Sequence, residues 1–97
     1  MHILRIEHQI RDFYTWKGAF DRFSDFRQQS GVRSYRVLRP IDDPNYVMID
    51  LEFDSSSEAE AFLAALWRNV WSSREAAPAL IGEPQTRIVK AVESKEY

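Results

Sequence analysis

At 97 residues, with 44% hydrophobic and 29% charged side chains, the chain has room for a single domain with a modest core, and its balance excludes wholesale disorder. A net charge of −2, with arginines scattered among acids, supplies no electrostatic pull toward nucleic acid or an anionic membrane. Cysteine is absent, which rules out disulfides and thiolate metal sites, and charges interrupt the first apolar residues, so the expectation is a cytoplasmic protein with neither signal peptide nor membrane span.

The first predicted element is a strand from about Ile3 to Ile10, in which Leu4, Ile6, His8 and Ile10 alternate with Ile3, Arg5, Glu7 and Gln9. Asp12 then stands where a helix N-cap is expected. Phe13, Trp16, Phe20 and Phe23 recur at helical spacing and predict a helix to about Ser30, stopped by Gly31. Their aromatic stripe needs a sheet to cover it. Arg33 to Arg39 reads as a weaker strand, Pro40 to Asn45 as a tight reversal, and Tyr46 to Phe53 as a third strand, the two strands forming a hairpin. Ser55-x-x-Glu58 is a capping box that opens a second helix through about Trp71. Pro78 and the Gly82-Glu-Pro84 corner punctuate the return, and Gln85 to Glu93 alternates as a final strand.

The order βαββαβ, with right-handed crossovers, predicts an α+β, ferredoxin-like fold: a four-stranded antiparallel sheet with two helices on one face. If Val47, Ile49, Leu51 and Phe53 face the helices, the other face carries Met48, Asp50 and Glu52 beside Arg5, Glu7 and Arg36. Two readings of that charged face stand side by side. Its groups are solvated or joined in surface ion pairs of small net value, or two such sheets meet and enclose a polar-walled cavity.

The strand ending in His8, the Asp12-Phe13-x-x-Trp16-Lys17-x-x-Phe20-Asp21 helix, the Asp43-Pro44-Asn45 turn, the Phe53-Asp54-Ser55 lead into the second helix and the Gly82-x-Pro84 corner carry a resemblance. Together they resemble small dimeric α/β-barrel proteins, relatives of the antibiotic biosynthesis monooxygenase group, over nearly the whole chain. The resemblance implies a homodimer whose two sheets close into a barrel, each monomer offering a cleft between sheet and helices. It also implies a range of activities: cofactor-independent oxygenases of phenolic polyketides, haem-degrading enzymes, and proteins without known activity, the subgroup this chain is most similar to. Oxygenases of this kind hold substrate with a tryptophan, an asparagine, an arginine and tyrosines, and the same residue types occur here as Trp67, Asn69, Arg87, Tyr35 and Tyr46, without an aligned motif. Haem-degrading relatives carry a histidine on the second helix, and none lies between Ser55 and Ser73 here, which counts against haem.

His8 is the candidate catalytic group, because a neutral imidazole can act as a general base; the competing reading is a hydrogen-bonded core histidine. Trp67 and Trp71, one helical turn apart, can wall a flat aromatic ligand or cover an interface. Asp50 and Glu52 share a strand face, where Arg5, Glu7 and Arg36 make either an acid/base pair or an ion-pair lattice. No metal-ligand spacing, flavin motif, glycine-rich phosphate loop or nucleophile elbow is present, so no cofactor is expected. The resemblance therefore implies oxidation or rearrangement of a small aromatic or polyketide-like compound, or alternatively a non-enzymatic ligand-binding or structural homodimer.

Overall fold

A computed structural model describes all residues, 1–97. Its elements run β1 (His2–Ile10), α1 (Phe13–Arg22), α2 (Ser24–Gln29), β2 (Ser34–Leu38), β3 (Tyr46–Phe53), α3 (Ser56–Asn69) and β4 (Leu80–Lys90). The strands form one sheet in the order β2-β3-β1-β4 with every neighbouring pair antiparallel. That is the ferredoxin-like arrangement, in which two split βαβ units interleave. No helix is long and apolar enough to cross a membrane.

Alternation along β1 and β3 places Leu4, Ile6, Ile10, Val47, Ile49, Leu51 and Phe53 on one buried face, where Trp16 of α1 and Ala59, Phe62 and Leu66 of α3 close over them. The sequence places both helices on this face because their apolar positions recur every three or four residues and have no other surface to bury. Rings make much of the contact: Trp16 stacks on Phe20 at 4.8 Å, Phe26 on Phe62 at 5.2 Å, and Phe53 meets Phe62 at 5.7 Å. Both predicted caps form. The Asp12 carboxylate accepts the Thr15 N–H at 2.8 Å, and the Ser55 hydroxyl accepts the Glu58 N–H at 3.2 Å.

Two expected elements change their bounds. The helix expected from Phe13 to Ser30 is broken at Phe23, whose backbone leaves helical geometry (φ −97°, ψ 16°). At the break the Phe20 carbonyl accepts from the Phe23 N–H at 3.2 Å, and the Arg27 side chain adds a second bond to it at 2.5 Å. Neither glycine nor proline marks the site, so local propensity could not locate it. The last strand runs from Leu80 to Lys90 rather than from Gln85 to Glu93, and its start moves because the Gly82-Glu-Pro84 segment lies inside the strand as an irregularity instead of before it. Pairing with β1 jumps from Glu7↔Gln85 to Gln9↔Ile81, so β4 carries two extra residues there. Gly82 adopts φ +71° and Pro84 has no N–H to pair, which together bend the strand opposite His8.

On the open face of the sheet one row crosses all four strands: Arg36, Asp50, Arg5 and Arg87. Asp50 is only 7% exposed although it points away from the helices, because Arg5 Nε reaches it at 2.9 Å and Arg36 Nη2 at 3.3 Å. Glu7 and Glu52 sit in the adjoining rows, accepting hydrogen bonds from the Tyr46 and Ser34 hydroxyls, and Met48 lies beside them. Every charged residue assigned to this face from alternation is found on it.

Candidate functional site

Between the inner sheet face and the helices lies a cleft of about 80 Å³, partly open to solvent. Ile6 and His8 of β1 and Ile49 and Leu51 of β3 form its floor. Trp16, Phe20 and Phe23 form one wall, Phe62, Leu66 and Trp71 another, and the segment Ala76–Leu80 closes the end. Among eighteen lining residues the polar groups are the His8 imidazole, the Arg27 guanidinium and the indole N–H groups of Trp16 and Trp71. Such a wall holds an apolar body and offers a few places for polar recognition.

His8 is buried, at 6% exposure, and its Nδ1 lies 2.9 Å from the Gln9 carbonyl oxygen. A carbonyl can only accept, so Nδ1 carries the proton, and in the neutral ring the Nε2 lone pair is left free, with no hydrogen bond from the protein. Burial lowers the imidazole pKa, and the bond to Gln9 offsets this only in part. The ring is therefore a neutral base near pH 7. Its setting follows from the fold: alternation turns it inward, and the irregularity in β4 leaves it without a partner residue on that side.

Of the other residues singled out from sequence, Trp71 lines the cleft and Trp67 does not. Trp67 is 42% exposed and packs edge-on against Trp71 at 4.9 Å, so it backs the wall from outside. Tyr35 stands one contact behind the wall, edge-on to Phe20 at 5.1 Å. Tyr46 binds Glu7 on the open sheet face, and Arg87 lines a shallow polar depression there with Arg5, Glu7 and Met48. Asn69 is exposed at the end of α3. The structure thus brings together His8 and Trp71, with Trp67 behind, and sends Tyr46, Asn69 and Arg87 elsewhere.

Arg27 was not singled out from sequence, yet it is the one charged group on the cleft wall. A signal for it exists. Trp16, Phe20, Phe23 and Arg27 continue one helical spacing, so extending the aromatic stripe by a turn places a guanidinium on the buried side. The Ala76–Leu80 segment, by contrast, has no periodic pattern that would reveal its position.

The strand order, the helices on one side and the charged open face define a ferredoxin-like domain of the kind found in antibiotic biosynthesis monooxygenase structures and dimeric α/β barrels. Neither a family model nor a curated protein matches the sequence. Among solved structures, the cofactor-independent oxygenase SnoaB of Streptomyces nogalater is similar with TM-score 0.73 at 14% identity, over 96% of this chain and 94% of that one. A protein of unknown function from Nitrosomonas europaea matches with TM-score 0.69 at 17% identity, over 99% and 93%. A dimeric ferredoxin-like protein from an uncultured marine organism matches with TM-score 0.64 at 6% identity, over the full length of both. At these identities the likeness is one of fold.

Proposed function

We propose that the cleft binds a small aromatic compound and that the protein oxidises it with molecular oxygen, His8 removing the proton that starts the reaction. The observation that carries this reading is the free Nε2 of a buried, neutral His8 on the wall of an apolar cleft. The likeness in fold to a cofactor-independent oxygenase supports it. For a quinol, Nε2 accepts one phenolic proton, and the phenolate, far richer in electrons than the phenol, reduces oxygen. Two electrons and two protons leave in all, so quinol and oxygen become quinone and hydrogen peroxide. Trp71 forms the flat wall, and Trp67 holds it in place. Against the ~300–1,000 Å³ of drug-sized ligand pockets, the cleft of about 80 Å³ favours a single ring over a polycyclic polyketide.

Methylhydroquinone is the probe, followed by oxygen uptake and quinone absorbance near pH 7 against the uncatalysed rate. The wild-type protein accelerates turnover, and His8→Ala lowers kcat by about 10²-fold or more, the ordinary contribution of a general base. Trp67→Phe slows turnover to a smaller degree. Equal rates with and without protein end the oxidation reading; unchanged turnover in both variants removes those two residues from it.

The homodimer belongs to the same proposal. The open face carries apolar Ile3, Met48 and Val89 among its charges, and a similar solved structure is a dimeric ferredoxin-like protein. A second reading is a ligand-binding homodimer without turnover, for which the same apolar cleft suffices. It predicts that single-ring compounds bind and are released unchanged.

A further inference from the structure

Arg27 is 5% exposed, and no carboxylate lies within ion-pair distance of it. The four ion pairs of the chain use Arg5, Lys17, Arg33 and Arg36, and Asp21, the acid at the end of α1 nearest in sequence to the break, is held by Lys17 at 2.6 Å. A guanidinium stays charged at any ordinary pH and has five N–H donors. Nη1 donates to the Phe20 carbonyl at 2.5 Å, and the Tyr35 hydroxyl is the one other side-chain partner within reach of the guanidinium. The Phe20 ring, 3.7 Å from the guanidinium carbon, and the Tyr35 ring, 5.1 Å away, return part of the lost hydration as cation–π attraction. Sealing the broken helix end and meeting Tyr35 account for two donors and leave three, together with a positive charge on the wall of an apolar cleft that the Asp21 carboxylate balances only from beyond ion-pair distance.

We propose that a bound ligand supplies the missing anion: the cleft takes a small planar aromatic carboxylate, its carboxylate on Arg27 and its ring among Trp16, Phe20 and Trp71. This rests on the reading of the cleft as a ligand site and deepens it by naming the charge the ligand carries. A carboxylate suits the group because its two oxygens match the guanidinium fork and its single charge is balanced by one cation. A phosphate dianion would need a second cation, and beside Arg27 the wall offers only His8 and the indole N–H groups of Trp16 and Trp71, none of them charged. In a phenolic acid, the ring oxygen is then left for Nε2 of His8.

The test is binding of benzoate and of its neutral analogue benzamide to the full chain, by titration calorimetry and by the Arg27 Nε–H resonance. Benzoate is expected to bind at least about tenfold tighter, as a charged hydrogen-bonded pair requires, and to shift the Arg27 resonance, which benzamide leaves in place. In Arg27→Met the preference for benzoate falls to about twofold or less while benzamide binds as before; Arg27→Lys retains part of it. Equal binding of both compounds by the wild-type protein, or an unmoved Arg27 resonance on adding benzoate, overturns the anion proposal and leaves the cleft as a neutral-ligand site. Failure of both compounds to bind overturns the cleft as a ligand site, and this proposal with it. The wild-type comparison and the resonance need no substitution, so they decide between these outcomes even where a variant fails to fold.

Discussion

Arg5 and Asp50 lie 45 positions apart in the chain and directly opposite one another in the sheet, with Arg5 Nε 2.9 Å from Asp50 Oδ1. Arg36 approaches the second oxygen from the other neighbouring strand at 3.3 Å. One carboxylate thereby ties β1, β3 and β2 together, and its burial comes from the two arginines that cover it. Asp50→Ala removes the shared acceptor and leaves two arginines facing each other, a cost of about 1–2 kcal/mol, toward the lower part of the usual range for charged hydrogen bonds because both arginines keep much of their hydration. Arg36→Ala costs less, about 0.5 kcal/mol. Urea denaturation at fixed protein concentration checks both, and a neutral Asp50→Ala would show that the row is a solvated surface.

The same row bears on association. Asp50→Arg places a fourth arginine in line with Arg36, Arg5 and Arg87, so a dimer built on this face is expected to dissociate. Light scattering across a dilution series reads the outcome; a variant that keeps the wild-type mass moves the interface away from the sheet.

Gly31 follows α2 with φ +96°, and a Cβ built there meets the Glu58 carboxylate of α3. Gly31→Ala therefore carries both a backbone penalty and a displaced side chain, about 1–3 kcal/mol together. In a Glu58→Ala background the same substitution costs less, since the backbone term alone persists. A double-mutant cycle by chemical denaturation measures this coupling, and strict additivity would place Glu58 out of reach of position 31.

His8 gives stability a defined slope with pH. Its folded pKa lies below the ordinary 6.5, chiefly because of burial, so the unfolded chain takes up a proton before the folded one does. Stability from this group is complete above pH 6.5 and is lost as pH falls toward the folded value. Thermal melts of the wild type and His8→Gln across that window are expected to differ in slope, the variant being flatter. Parallel curves would mean that the imidazole is as readily protonated in the fold as outside it.

Tyr46 titrates at the other end of the scale. Its hydroxyl donates to Glu7 Oε1 at 2.7 Å, and that bond, with burial and the carboxylate charge, raises its pKa to about 12. The raised value means that the contact supports the fold fully below the ordinary pKa of 10 and is lost as pH rises toward 12. Subtracting the alkaline absorbance of Tyr46→Phe from that of the wild type isolates this phenol. Glu7→Gln is expected to bring its transition down, and an unmoved transition would contradict the hydrogen bond as its cause.

Much of this architecture is legible residue by residue. Alternation from Tyr46 to Phe53 delimits β3 as observed, Asp12 and Ser55 mark the helix starts through bonds that span three residues, and Gly31 stops α2 because a positive φ is costly for other residues. Each of these signals is local, read from a few neighbouring positions. The inward turn of His8 belongs with them, since alternation alone sets the face.

What the chain order could not reveal depends on which faces meet. The break at Phe23 is held by a side chain four residues on that returns to the Phe20 carbonyl, and the irregularity in β4 is defined only against β1. Trp71 and Trp67 lie one turn apart at the end of α3, yet only Trp71 reaches the cleft, because the Ala76–Leu80 segment folds back beside it. Helical spacing turns Arg27 toward the buried side, but only its contacts with the Phe20 and Tyr35 rings set it as the lone cation on the cleft wall. Periodicity says which side of an element is buried; the partner across the gap, and hence the charge and volume of the site, arises from contacts between segments far apart along the chain.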